Sequence, residues 1–327
     1  MVEARLLQEL IENEIRLQSG RWELTSPVNL YRPVSYSLNE GGKRLRPLLV
    51  LMAYQLFGDN PREALKAALA IEVFHNFTLL HDDIMDKADI RRNRPSVHVQ
   101  FGENSAILSG DVMAFIAYHF LLESHTDRMV EIMQLFTRTA REICEGQQLD
   151  MDFESRNDVT TKEYLEMIRL KTAVLLACSL RTGGMLGGCD DAAARILYEA
   201  GIHLGLAFQL QDDLLDTFGD ESAFGKKIGG DIVSNKKTFL LTEALQKGNA
   251  RQKKELLSWL GKESFNRDDK IKAIKNIFED LKIKELTEEK ISLYNICGIG
   301  ILDSLPVERE RKEPLAGLFR NLISRKV

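Results

Sequence analysis

Asp82-Asp83-Ile84-Met85-Asp86 and Asp212-Asp213-Leu214-Leu215-Asp216 repeat one pattern, a pair of adjacent carboxylates with a third three residues on. Each closes a long apolar run with helical spacing, Ala64 to Leu80 before the first and Ala200 to Leu210 before the second. On a helix, an Asp and the Asp four residues on stand about 40° apart and one turn along, so both carboxylates share a face. Six carboxylates at the mouth of an apolar cavity are costly unless cations neutralise them. Oxygen-only donors select hard ions, and Mg²⁺ shared with a phosphate-bearing substrate fits them best.

Basic residues accompany the acids. Lys43, Arg44 and Arg46 lie in a turn opened by Gly41-Gly42 and closed by Pro47, and Arg91, Arg92 and Arg94 follow the first acidic cluster. Lys171, Lys226, Lys227 and Lys236 come from other segments. Such a set suits a site that binds diphosphate twice, once through metal and once through cations directly. Arginine forks match phosphate oxygens, and glycines let backbone N–H groups approach. For Arg44 and Lys227 an ordinary surface role explains the residue equally well.

The elements that must position these groups are helical. Only seven prolines, with long stretches rich in Ala, Leu, Glu and Lys, predict an all-α chain, read here as a single domain over residues 1–327. A helix is expected over 4–18, and Ser26-Pro27 reads as an N-cap with proline at the first helical position. Asn60-Pro61-Arg62-Glu63 is a strong start for the helix that carries the first acidic cluster. Helical spacing continues over 104–125 and 127–153. Thr160 with Glu163 caps a helix running to about Leu186, and the helix near 191–217 delivers the second cluster. Residues 219–237, with their glycines and lysines, read as a loop. The net charge of −5 gives no reason to expect nucleic acid, and no unbroken apolar run approaches the roughly 18 residues of a membrane span. Three Glu among the first thirteen residues argue against a signal peptide, and Cys144, Cys178, Cys189 and Cys297 fit no metal spacing. They are read as reduced core thiols of a cytoplasmic protein.

In order along the chain, GGKRLRP, FHNFTLLHDDIMD, RRNRP, EGQQLD, LKTA, FQLQDDLLD and GKKIGGD resemble the motifs of the trans-isoprenyl diphosphate synthase (polyprenyl synthetase) family, covering roughly residues 40–237. The resemblance implies a helical bundle of the isoprenoid synthase type, around a cavity in which isopentenyl diphosphate condenses with an allylic diphosphate. It implies that Asp82, Asp86, Asp212 and Asp216 hold three Mg²⁺ ions, with Asp83 and Asp213 behind them or on metal-bound water. Arg91, Lys171, Thr172, Gln209, Lys226 and Lys236 would complete the allylic site. Lys43, Arg46, His75 and Arg92 would hold the second diphosphate. His75 falls seven residues before Asp82, within about 20° of the same helix face, although on residues alone it reads as a core histidine. A homodimer is also implied.

The same resemblance makes Phe77 the floor of the product cavity, with Phe74 and Thr78 beside it, and suggests products of fifteen to twenty carbons. An ideal wheel turns Phe77 about 140° from Asp82, so the gate rests on the resemblance, and plain core packing is the alternative. Gly201 and Gly205, eleven and seven residues before Asp212, are expected to leave a smooth cavity wall. Asn93 replaces the usual glycine after the arginine pair, and Asn235-Lys236-Lys237-Thr238-Phe239 replaces the commoner Gly-Lys-x-Thr-x-Pro, so altered loop geometry is expected. A class I terpene synthase would not need Lys43, Arg46 and Arg92, and a regulatory subunit would typically lose one acidic motif. His81-Asp82 mimics an HD-type metal pair but lacks the matching upstream His and downstream Asp.

Overall fold

The N-terminal helix α1 (Ala4–Glu23) buries Leu7, Ile11, Ile15 and Trp22, an i, i+4 stripe that ends where the exposed Leu24 turns the chain. The computed structural model describes residues 2–219 and 228–323. Contacts group these into two compact units. The first runs to Leu135 and adds Ser179–Leu197 and Pro306–Leu315; the second comprises Phe136–Cys178, Tyr198–Leu305 and the chain from Ala316.

In the first unit, α2 (Val28–Leu38) starts one residue later than its proline signal predicts. Pro27, at φ −73° and ψ 130°, stands outside the helix as its N-cap residue. After α3 (Leu45–Tyr54), Asn60 accepts from the N–H of Arg62, and a 3₁₀ turn over Pro61–Ala64 leads into α4 (Leu65–Met85). Glu63 stands in that first turn as expected, where it accepts from Asn60 Nδ2 at 3.3 Å and from the Tyr54 hydroxyl at 2.7 Å. A hairpin of two-residue strands, β1 (Ile90–Arg91) and β2 (Arg94–Pro95), precedes α5 (Val97–Phe101) and α6 (Glu103–Leu122). The buried positions of α6, among them Ala106, Gly110, Met113 and Ala117, recur every three to four residues and pack on α4. By length and composition alone α6 is apolar enough to cross a membrane, with a mean hydropathy of 1.5, although serine, glycine, Asp111 and histidine interrupt its apolar residues.

α7 (Met129–Glu154) and α8 (Thr161–Ile168) follow, the latter with the expected Thr160–Glu163 capping box. The long helix expected from Thr160 to Leu186 is present without a gap, and a π turn over Arg169–Ala173 joins α8 to α9 (Val174–Leu186). α10 (Asp191–Phe218) carries the second acidic cluster. The loop expected over 219–237 contains one helical turn, α11 (Gly230–Val233), while Lys226 and Lys227 lie outside the described residues. The chain continues through α12 (Phe239–Lys247), α13 (Ala250–Leu260), α14 (Arg267–Asp280), α15 (Ile283–Asp303) and α16 (Arg309–Ile323). The all-α reading holds, with the hairpin as the strand structure among the described residues. Among the described residues the cysteines form no disulfide, as expected, but Cys144 is exposed rather than in the core.

Candidate active site

The two acidic motifs fall in different units, and each is organised in the same way. At the end of α4, Asp82 is half-buried, Asp86 is the exposed C-cap residue and Asp83 is buried. Helical spacing accounts for this: Asp82 and Asp86 share the outer face, whereas Asp83 is turned about 100° inward. Buried, Asp83 requires a partner, and Arg91 supplies one, its Nε lying 3.0 Å from each carboxylate oxygen while its NH2 also bonds Oδ1. At the end of α10, Asp212 is exposed, Asp216 half-buried and Asp213 buried. Asp213 accepts from the Tyr164 hydroxyl and, at 3.0 Å, from Gln209 Nε2. In both motifs the second aspartate therefore anchors the helix end.

The arginine hairpin owes its shape to two left-handed residues. Arg92 and Asn93 have φ of 50° and 62° between the paired residues Arg91 and Arg94, the signature of a type I′ turn. Asparagine tolerates this conformation, so Asn93 holds the turn at a position where glycine is commoner. Arg92 donates to the Gly41 carbonyl, and its guanidinium would lie 2.9 Å from a Cβ on Gly42, which has φ +127°. Only glycine meets both demands. Arg44 turns out to be neither a surface residue nor a diphosphate ligand. Also left-handed, it is buried against Glu12, Glu72 and the Leu38 carbonyl, and so locks the basic turn to α1 and α4. Lys43 remains exposed beside it.

Arg46 lies 2.9 Å from His75 Nε2; the guanidinium must donate, so the neutral imidazole carries its proton on Nδ1. Burial, then Arg46, Arg92, Arg91 and Arg44, hold the imidazole well below its ordinary value. Burial and Arg92 bring Arg46 itself down to about 10, against the opposing pull of Glu72, and its Nε is buried without a hydrogen-bond partner. Three predicted anion ligands, Arg46, His75 and Arg92, are thus gathered where the arginines act against one another and against protonation of the imidazole, with Glu72 opposing them. Glu40 belongs to the same neighbourhood. Burial raises its carboxyl to about 7 against the opposing pull of Arg92.

In the second unit the imbalance has the opposite sign. Asp231 is raised to about 7 by burial and then by Asp216, with Asp212 and Asp150 adding to it and Lys236 opposing. Asp213 is raised well above the carboxylate range by burial and Asp231. Asp216 accepts from the Asp231 N–H at 2.9 Å, which fastens α11 to the end of α10. Lys171 reaches Asp150 at 2.6 Å, and the Thr172 hydroxyl donates to Gln209 Oε1 at 3.0 Å. The π turn that presents Lys171 and Thr172 is held between two glycines. A Cβ on Gly146 would lie 2.4 Å from the Lys171 nitrogen, and one on Gly205 would lie 2.4 Å from the Ala173 Cα. The cavity-wall expectation for Gly201 and Gly205 is therefore overturned. Gly201 presses on Ala177 at 2.4 Å and Gly205 on Ala173, so both serve close helix packing. Among the described residues, no group of three acidic, histidine or cysteine side chains is already gathered tightly enough to hold an ion.

Phe74 is buried, and Phe77 stacks between Phe74 (5.3 Å) and His81 (4.8 Å). His81 abuts Gly110 and lies 3.2 Å from the Ile107 carbonyl, which puts the Phe77–His81 side of α4 against α6. The Thr78 hydroxyl is turned back on the His75 carbonyl at 2.8 Å. Sequence reasoning assigned no role to Tyr164, Asp150, Asp231, Glu40 or Glu72. Asp150 and Asp231 lie inside motifs it quoted, whereas Tyr164 is tied to Asp213 across 49 positions, beyond the reach of any local pattern.

Two aspartate-bearing helices on an all-α scaffold, with a half-buried basic cluster, define an enzyme of the isoprenoid synthase fold. The chain matches the polyprenyl synthetase family over residues 27–278. It is 46% identical over 227 residues to the geranylgeranyl diphosphate synthase of Methanosarcina mazei, covering 69% of this chain and 70% of that one. It is 40% identical over 270 residues to that of Saccharolobus solfataricus, covering 77% and 81%. A crystal structure of a geranylgeranyl pyrophosphate synthase superposes with a TM-score of 0.94 at 41% identity over the whole of both chains. The chain belongs to the polyprenyl synthetase family and is a trans-prenyltransferase.

Proposed function

We propose that the chain is a Mg²⁺-dependent enzyme that joins isopentenyl diphosphate to dimethylallyl, geranyl or farnesyl diphosphate and releases a prenyl diphosphate of fifteen to twenty carbons. The observation that carries this reading is the cluster of Arg46, the neutral His75 and Arg92. Arg92 works against the charge of Arg46, both work against protonation of His75, and the Nε of Arg46 is buried without a partner. A diphosphate bound without metal relieves both strains. An enzyme that ionises one diphosphate only, such as a terpene synthase, has no use for this cluster.

The aspartates fit the metal. All their donors are oxygens, and the crowding that raises Asp231 to about 7 is relieved by a hard cation. Asp82, Asp86, Asp212 and Asp216 would hold three ions, supported by Asp83 and Asp213, and Mg²⁺ would stabilise the negative charge that builds on the departing diphosphate. Lys171, Lys226, Lys236 and Arg91 bind the allylic diphosphate; Asp83 engages Nε and NH2 of Arg91 and leaves NH1 for it. Lys43, Arg46, His75 and Arg92 hold isopentenyl diphosphate. As the allylic C–O bond breaks, the Thr172 oxygen and the Gln209 amide turn their dipoles towards the cationic carbon chain. The double bond of isopentenyl diphosphate then forms the new C–C bond, and a proton passes to the released diphosphate, so no side-chain base is required.

The names of the relatives favour twenty carbons, and Phe77 in its aromatic stack suits a short product. Ile107, Leu108, Phe115 and Leu122, exposed on α6, support a homodimer. Purified protein incubated with Mg²⁺, isopentenyl diphosphate and each primer should yield geranylgeranyl diphosphate. Formation of a hydrocarbon, or no condensation with any primer, would overturn the reading.

A further inference from the structure

Lys270 on α14 is completely buried, yet the chemistry above does not use it. Its ammonium has only neutral partners: Asn235 Oδ1 at 2.6 Å, the Val233 carbonyl at 3.2 Å and the face of Phe265 at 4.1 Å. Among the described residues, no carboxylate pairs with it. An ammonium without a counter-ion is an expensive way to fill space, and an apolar side chain of similar length would pack there at less cost. Burial and the neighbouring Lys237 both work against its charge.

The geometry around Asn235 shows what the lysine secures. Asn235 has φ +59°, a left-handed conformation in which most side chains are strained. Every polar atom of the residue is engaged. Oδ1 accepts from Lys270, Nδ2 donates to the Leu260 carbonyl at 3.1 Å, the carbonyl accepts from Lys237 at 3.1 Å and the N–H meets the Ile232 carbonyl at 3.3 Å. The next residue is Lys236, whose N–H is held by the Asp231 carbonyl at 3.0 Å. The left-handed turn thus decides the direction in which Lys236 leaves the chain.

We infer that Lys270 and Asn235 form a clasp that positions Lys236 for the allylic diphosphate, doing with a buried ammonium what a glycine at position 235 would do by its own conformational freedom. The inference rests on the proposed role of Lys236 as a diphosphate ligand. Lys270 itself touches no substrate; it is a positioning residue.

The test compares steady-state kinetics and thermal stability of the full chain with farnesyl diphosphate as primer. Lys270→Met, matched in length and apolar, exchanges the cost of a buried ammonium for that of an orphaned Asn235 Oδ1 and should keep Tm within a few degrees of the parent. At the same time it should raise the KM for farnesyl diphosphate about tenfold and leave kcat within about twofold. Asn235→Ala, which disfavours the left-handed turn, should do the same to KM and carries the test if Lys270→Met does not fold. The double variant Lys270→Met/Asn235→Gly should bring KM back to within about threefold of the parent, because glycine adopts the turn unaided and no amide is orphaned. Lys236→Ala separates the two ideas. If it leaves KM unchanged, the diphosphate role of Lys236 fails, and the clasp loses its purpose with it. If it raises KM while Lys270→Met and Asn235→Ala leave KM alone, the clasp is overturned and the role of Lys236 stands. A lysine needed only for stability would lower Tm with KM unmoved, and that outcome also overturns the inference.

Discussion

Replacing Gly205 by alanine distinguishes a packing glycine from a cavity-lining one. The new Cβ would stand 2.4 Å from the Ala173 Cα and 2.5 Å from its Cβ. Reaching an ordinary contact requires the helices to separate by about 1 Å, and the obstacle is backbone rather than the yielding end of a side chain. Overpacking of this kind costs about 3 kcal/mol, at the upper end of the usual range, and alanine in a helix interior returns about 1 kcal/mol. The net loss is therefore about 2 kcal/mol, which for a chain of this size lowers Tm by roughly 4 °C. Ala173 adjoins Thr172, whose hydroxyl bonds Gln209 at 3.0 Å; a shift of about 1 Å breaks that bond. Turnover should fall about tenfold, a difference of about 1.4 kcal/mol in the barrier, with product length unchanged. Gly201→Ala provides the control. It meets the Ala177 Cα at the same 2.4 Å but lies a turn away from Thr172, so it should lose stability and keep its turnover. Calorimetry and chromatography of the products decide the matter. A Gly205→Ala protein as stable as the parent that makes shorter chains would refute the packing argument and restore the cavity wall.

Asp82→Ala and Asp212→Ala should each lower turnover by about 10³-fold while circular dichroism and Tm stay close to the parent, because both carboxylates are turned outward; near-normal activity in either would sink the metal assignment. Glu72→Gln should cost about 3 kcal/mol in a urea titration, since it strips a buried arginine of the carboxylate 2.7 Å from NH1 and leaves only the half-exposed Glu12. Phe77→Ala should lengthen the products, and an unchanged product distribution would remove Phe77 as the floor. Glu163 is held down to about 2, first by the Thr160 N–H, then by the Thr160 hydroxyl and Arg156. A carboxyl whose folded value is depressed stabilises the fold above its unfolded value near 4.5, and that contribution is lost as pH falls towards 2. Glu163→Gln should accordingly be less stable than the parent at pH 7, and the Tm difference should close as pH approaches 2; a gap that persists at pH 2 contradicts the assignment.

Much of the site was legible because its logic is local. Two carboxylates four residues apart on a helix share a face wherever the helix goes, and Asn60-Pro61-Arg62-Glu63 or Thr160 with Glu163 announces a helix start from within a few residues. The asparagines that stand where glycine is commoner were visible too, but how each turn is held was not. At Asn93 the left-handed turn is simply tolerated, whereas at Asn235 it is supported by a lysine thirty-five residues away.

From the residues alone came the all-α class, the doubled aspartate motif, the glycine turn loaded with cations and the order of segments that marks the family. Each is a matter of composition or of helical period, which the chain carries before it folds. Tertiary structure decided which acids face outward and which are pinned, that Arg44 is a buried strut, that Gly201 and Gly205 seat neighbouring helices, and that Tyr164, Glu72 and Lys270 matter at all. These depend on partners many residues distant, and the free energy of a buried charge or of a missing Cβ is set by the atoms packed against it.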